Sequence, residues 1–153
     1  MKVEQRLKEL GIELPAPPAP VANYVRYVQA GNLLFVSGHG PSRDGKFVYT
    51  GKVGAEVSLE DAYQAARLVM INCLASMKEA LGDLDRVKRI VKLLGMVNAV
   101  PEFGDQPKVI NGASDLLVDV FGSEIGKHAR SAVGMGSLPS QITVEIEMIV
   151  EIA

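Results

Sequence analysis

The sequence predicts an α+β domain built on a single mixed β-sheet, with two helices packed on one of its faces. Its 153 residues suit one domain with one core. Strand-like runs lie at both ends of the chain, joined as hairpins, and two stretches of helical periodicity lie among them. The order that results, β-β-α-β-α-β-β, is not the uniform βαβα series of a doubly wound sheet.

In chain order, residues 3–10 form a short helix that Gly11 ends. LPAPPAP (14–20) follows, and four prolines in seven residues permit neither helix nor central strand, so this is an extended connector lying over the domain surface. Residues 1–20 are therefore set apart from a main domain over 21–153. Tyr24–Gln29 and Asn32–Ser37 are two β-rich runs, with Gly31 in the turn between them. Gly38 to Gly54 contains five glycines with Pro41 and Asp44, and is expected to be mostly loop.

Ser58 to Leu81 is the clearest helix. Ser58 is its N-cap, Asp61 is placed to complete a capping box, and Gly82 is its stop. Leu59, Ala62, Ala66, Val69, Cys73, Met77 and Leu81 make one apolar stripe. A β-branched run covers Val87–Val100, a second helix begins after Pro107 and ends at Gly122, and two strands close the chain at about 129–133 and 142–152.

The last strand alternates strictly. Ile142, Val144, Ile146, Met148, Val150 and Ile152 take one side, and Glu145, Glu147 and Glu151 share the other with Thr143 and Ile149. The other strands do not alternate as cleanly: Leu33 to Val36 is apolar on both sides, as are Val91, Leu93 and Leu94. The second face of the sheet therefore needs a cover, which is either another copy of the chain or, in part, the N-terminal segment.

Composition narrows the function. Net charge is −2, with no clustered excess of Lys and Arg of the kind that binds nucleic acid. One cysteine excludes an intrachain disulfide, and two histidines with it are too few and too scattered for a zinc site, so no metal is expected. The N-terminus is charged from Lys2 and no run approaches the roughly 18 apolar residues of a membrane span, so a cytoplasmic protein is expected. Gly40 to Phe47 nearly spells a phosphate-binding loop, but Phe47 lacks the magnesium-binding hydroxyl and no helix opens after it. Cys73 lies on the apolar stripe and is read as core. The charged cluster Asp83, Asp85, Arg86, Lys88 and Arg89 is read as solvated surface.

Arg130, in His128-Ala-Arg-Ser-Ala-Val, stands among small residues at a strand start, where a long cation points either to solvent or into a cavity. Ser37-Gly38-His39 ends a strand, which suits binding groups and ordinary turn chemistry alike.

Several separate pieces resemble one family. Asn32-Leu-Leu-Phe-Val-Ser-Gly38 is similar to the second-strand signature of the reactive-intermediate deaminases (the Rid or YjgF-like family). Ala129-Arg130-Ser131, Leu138-Pro139 and Val144-Glu145-Ile146-Glu147 resemble its C-terminal pattern in order and spacing. Tyr24 falls at the family's pocket tyrosine, and Asn111 and Phe121 at its second-helix positions.

The resemblance implies a chorismate-mutase-like (YjgF-like) fold assembled as a homotrimer with clefts between subunits. It also implies hydrolysis of small 2-imino or enamino acids to 2-oxo acids and ammonia, with no cofactor. Arg130 would clamp the carboxylate and Glu145 would orient or activate the water, while groups near Ser131 help hold the imine. Tyr24, Ser37, Gly38, His39 and Asn111 would complete the substrate-binding set. Two residues depart from the best-studied branch: Ala132 stands where it tends to carry cysteine, and His39 where it often has glutamine. His39 would then supply either a proton-transfer group or a hydrogen bond. A non-catalytic binder of small carboxylates, a chaperone-like protein and an endoribonuclease are the competing functions.

Overall fold

The computed structural model describes residues 2–20 and 22–153. In chain order the elements are α1 (Lys2–Glu9), β1 (Tyr27–Ala30), β2 (Leu33–His39), β3 (Ser42–Arg43), β4 (Lys46–Phe47), α2 (Leu59–Leu81), β5 (Val87–Asn98), α3 (Gln106–Gly126), β6 (Ala129–Met135) and β7 (Val144–Ile152). Five strands form one mixed sheet in the order β1-β2-β7-β5-β6. Only β5 and β6 run parallel, and α3 is the crossover that a parallel pair requires. The expected fold class is therefore the observed one, with α1 as a third helix.

β1 and β2 close on a two-residue turn, Gly31-Asn32, between paired Ala30 and Leu33. The Gly38–Gly54 stretch is mostly loop, as expected, but holds short strand pieces as well. β2 runs on through His39, and β3 and β4 form a miniature hairpin across Asp44-Gly45. Both turn residues have positive φ, 54° and 78°, the geometry that an Asp-Gly pair favours in a primed turn. The near-match to a phosphate loop is thus a β-turn.

α2 begins at Ser58, whose side chain accepts the Asp61 N–H at 3.1 Å, and stops at Gly82. It buries more than its predicted stripe. Ala65, Leu68, Met70 and Leu74 are enclosed as well, because α2 is covered by the sheet, by α3 and by the N-terminal segment. Gly112 of α3 sits directly on the α2 backbone: a Cβ there would lie 2.0 Å from the Tyr63 carbonyl oxygen. α3 breaks at Gly122 (φ 83°), as expected, but a further helical turn carries on to Gly126.

The N-terminal segment covers the helices rather than the open side of the sheet. Val3 and Leu7 join the main core. The N–H groups of Lys2 and Val3 donate to the Asp85 carboxylate at 2.8 and 2.9 Å, and Arg6 Nε donates to the Asp119 carbonyl at 2.8 Å. The Asp83–Arg89 cluster is therefore more than solvated surface. Asp85 caps α1, Arg86 holds the Ala153 carbonyl, and Arg89 donates to the Lys127 carbonyl.

The even-numbered residues of β7 from Val144 to Ile152 fill the core beneath the helices. The opposite face has no cover among the described residues. Val28 is 54% exposed and Phe35 41%, and Val91 and Val133 are exposed beside them. No helix among the described residues is long and apolar enough to cross a membrane.

The helix contact gives a stability test. Gly112→Ala forces α2 and α3 apart and should cost about 1–3 kcal/mol in urea unfolding. A change within about 0.5 kcal/mol would show that the helices are not so closely seated.

Candidate functional site

β6 is an edge strand, and its register decides where Arg130 points. Arg130 pairs with Leu93, which pairs in turn with Met148, and both partners are core residues. Arg130 therefore faces the helix layer, where α3 only partly covers the sheet edge, and is half-buried. Its Nη1 donates to Asn111 Oδ1 at 2.8 Å and to Ser114 Oγ at 3.1 Å. Those residues are three apart on α3 and so share one face. Ser114 Oγ also lies 2.9 Å from His128 Nε2, and His128 Nδ1 lies 2.7 Å from the Gly126 carbonyl. A carbonyl only accepts, so Nδ1 holds the ring proton and Nε2 of the neutral ring accepts from Ser114. Burial lowers the His128 pKa and the Arg130 and Arg89 charges add to that, against the Gly126 hydrogen bond. Among the described residues no carboxylate pairs with Arg130.

The second cluster forms at a bulge. The β2–β7 register shifts between Val36, opposite Met148, and His39, opposite Ile146, so Ser37 and Gly38 together face one residue of β7. Gly38 leaves room for the Glu145 carboxylate, since a Cβ there would stand 2.2 Å from Oε2. Glu145 is half-buried, and its pKa is raised by burial first and by the neighbouring Glu147 charge second. The Ser37 hydroxyl is committed to the Val25 carbonyl at 2.6 Å.

His39 turns the other way, into the helix layer, and is 5% exposed. Its Nδ1 lies 2.6 Å from the Ser37 carbonyl and its Nε2 2.7 Å from Ser76 Oγ on α2. It braces the bulge from behind. Burial, the largest cause, lowers its pKa, opposed by the Ser37 bond and helped by the Arg26 charge. Tyr24 is exposed just before β1, and Ser131 is exposed on the open side of β6.

The predicted residues thus fall into two groups. Arg130 and Asn111 meet at the sheet edge under α3, while Ser37, Gly38 and Glu145 meet on the open face. Glu145 is level with Met96 and Val133, three residues along and two strands across from Arg130, and on the opposite side. Strand spacing alone separates their Cα atoms by about 14 Å. No molecule of three or four carbons can touch both within one chain.

Ser114 and His128 were given no role from the sequence. The signal for them was present: Ser114 follows Asn111 by three on one helix face, and His128 precedes Arg130 by two, immediately before β6.

Each cluster has a distinct chemistry. A guanidinium held by one nitrogen keeps its remaining N–H groups free for a carboxylate. A desolvated carboxylate with raised proton affinity can take a proton from water. Cys73 is fully buried, and burial pushes its thiol pKa up, so it is no nucleophile. Among the described residues no group of three or more His, Cys, Asp and Glu is placed to hold a metal ion. A groove along the N-terminal connector, about 660 Å³, is lined by Leu14, Pro15, Pro17, Ala75 and Lys78 among others, and touches neither cluster.

Residues 4–151 match the family described as "YjgF/chorismate_mutase-like, putative endoribonuclease". The chain is 48% identical over 151 residues to Protein TCP17 of Trypanosoma cruzi, covering 99% of this chain and 94% of that protein. It is 30% identical over 141 residues to 2-iminobutanoate/2-iminopropanoate deaminase of Dermatophagoides farinae, covering 92% of this chain and 94% of that one. The crystal structure of Atu1372 from Agrobacterium tumefaciens, a protein of unknown function, superposes with a TM-score of 0.91 at 51% identity, covering 99% of this chain and 92% of that one.

His39 gives a pH test. Its folded pKa lies below the ordinary 6.5, so its stabilising contribution is complete above pH 6.5 and is lost as pH falls through the lowered value. In thermal unfolding between about pH 7 and 5, His39→Gln should show a shallower loss of stability than wild type. Parallel curves would mean that His39 is not held neutral.

Proposed function

The chain belongs to the YjgF/chorismate mutase-like family, and we propose that it hydrolyses small 2-imino acids, or their enamine tautomers, to 2-oxo acids and ammonia. The observation that carries this reading is the pairing of two unfinished half-sites. One is a guanidinium with N–H groups to spare, and the other is a desolvated carboxylate of raised proton affinity beside an uncovered apolar face. The activity named for the Dermatophagoides farinae relative supports it.

Arg130 and Glu145 lie on opposite sides of one sheet, so a complete site takes Arg130 from one copy and Glu145 from the next. A ring of identical chains, here a homotrimer, joins them at every interface and covers Phe35, Val91 and Val133 in doing so. Arg130, steadied by Asn111, grips the substrate carboxylate. The bulge at Ser37 and Gly38, with Tyr24 before it, walls the cleft around Glu145, and Ser131 lies on the open side of β6.

Glu145 accepts a proton from water as the water oxygen bonds to C2, and passes it to the imine nitrogen, which becomes an amine as the C=N π pair moves onto it. The carbinolamine then collapses: Glu145 takes the hydroxyl proton and delivers it to the nitrogen, the C–N bond breaks, the C2 carbonyl forms and ammonia leaves. One water is consumed for each ammonia released. Imines hydrolyse readily, so positioning and proton transfer are sufficient catalysis.

Arg130→Ala should abolish accelerated ammonia release from 2-iminobutanoate or 2-iminopropanoate generated in situ. Undiminished release by that variant would end this reading. Glu145→Gln should lower kcat by about 100-fold and change KM little; a change in KM alone would make the residue a pocket wall of a non-catalytic binder. Mixing subunits tests the shared site. An Arg130→Ala chain reassembled with a Glu145→Ala chain should regain about a quarter of wild-type activity, because each interface draws its two halves from different copies. No recovery in verified mixed assemblies would refute a site shared between copies. The endoribonuclease reading predicts RNA cleavage that falls in Arg130→Ala, and equal cleavage by both proteins would reject it.

A further inference from the structure

We propose that Ser114 and His128 are positioning residues that dictate which edge of the Arg130 guanidinium meets the substrate, so that the carboxylate is gripped side-on by Nε and Nη2. This rests on the imino-acid reading above and goes beyond it by assigning the orientation of the clamp.

The inference follows from counting protons. Nη1 carries two N–H groups, and both are used, one on Asn111 Oδ1 at 2.8 Å and one on Ser114 Oγ at 3.1 Å. An end-on grip needs Nη1 and Nη2 together, and is therefore closed. The Nε–Nη2 edge remains, and it offers two parallel N–H groups at carboxylate spacing.

What makes Ser114 an acceptor is the chain behind it. A serine hydroxyl is free to rotate, and could as easily turn its proton toward Arg130. Here the Gly126 carbonyl takes the Nδ1 proton of His128 at 2.7 Å, which leaves Nε2 as an acceptor 2.9 Å from Ser114 Oγ. The Ser114 proton is drawn to Nε2, and its lone pairs are left to Nη1. Every link thus runs in one direction, from Arg130 through Ser114 and His128 to the Gly126 carbonyl.

The charges around the imidazole agree. Arg130 on β6 and Arg89 on β5 are the charged groups that face it, α3 contributes the uncharged Ser114, and Arg89 is turned onto the Lys127 carbonyl. A second proton on His128 would make Nε2 a donor and reverse the link to Ser114. A neutral ring is the form that keeps the clamp oriented.

The roles separate in one set of assays on the assembled protein: KM and kcat for 2-iminobutanoate generated in situ, and Kd for 2-oxobutanoate as a stable carboxylate probe. Ser114→Ala and His128→Ala should each raise KM and Kd about 5- to 10-fold, with kcat within about twofold of wild type. The double variant should be no worse than either single one, because both break the same chain. His128→Gln, whose side-chain oxygen can accept from Ser114, should return KM and Kd to within about twofold of wild type. Unchanged KM and Kd in Ser114→Ala would overturn the proposal, and so would a correctly folded His128→Gln that binds as poorly as His128→Ala. Arg130→Ala in the same series keeps the two readings apart. If it retains full turnover, the deaminase reading falls; if it is inactive while Ser114→Ala and His128→Ala keep wild-type KM, only the positioning role falls.

Discussion

Successive residues of a strand leave on opposite sides, and β7 lies in the middle of the sheet, so its alternation is passed through hydrogen-bonded pairing to every neighbour. Val144, Ile146, Met148, Val150 and Ile152 turn toward α2 and α3, which obliges the paired Val36, Leu93 and Val97 to do the same. The odd-numbered residues have no such choice. Glu145, Glu147 and Glu151 emerge on the far side together with Phe35, Leu94 and Met96, and among the described residues no element crosses over to cover them. Placing α1 on the helix layer removes the one segment that had been free to do so.

The functional groups inherit this division. Arg130 lies in the register row of Met148 and therefore stays with the helices, where the edge position of β6 leaves it half open. Glu145 lies one parity away. The deviation from regular pairing at Ser37 and Gly38 is what gives its carboxylate somewhere to sit, because two residues of β2 are spent against one of β7 and the second has no side chain. His39 and Ser76 hold that deviation from the helix side. A bulge costs ladder pairing, and such features persist where they serve a site.

Both histidines do comparable structural work. Each gives its Nδ1 proton to a carbonyl two residues earlier in the chain, Ser37 for His39 and Gly126 for His128, and each offers Nε2 to a helix serine, Ser76 or Ser114. In the first case the result is a braced bulge, and in the second an oriented guanidinium. In each, burial keeps the ring neutral, which is the form the geometry requires.

The sequence by itself determined the class of fold, the order of elements and the residues worth watching, because those depend on local periodicity, caps and turn residues. Ser58, Gly82, Gly31 and the alternation of β7 were each readable within a few positions of chain. Even the Asp44-Gly45 turn was present as a pair, though its hairpin was hidden within a glycine-rich stretch. Tertiary structure alone decided which side of the sheet each candidate faces. Arg130 and Glu145 come from strands that are not neighbours, and three register shifts, one in β2 and two in β5, change the count between elements. Facing depends on the sum of those shifts over long-range pairings, a quantity that no local pattern carries. For the same reason Ser114 and His128, 14 residues apart, met Arg130 only once α3 had been laid along the edge of β6.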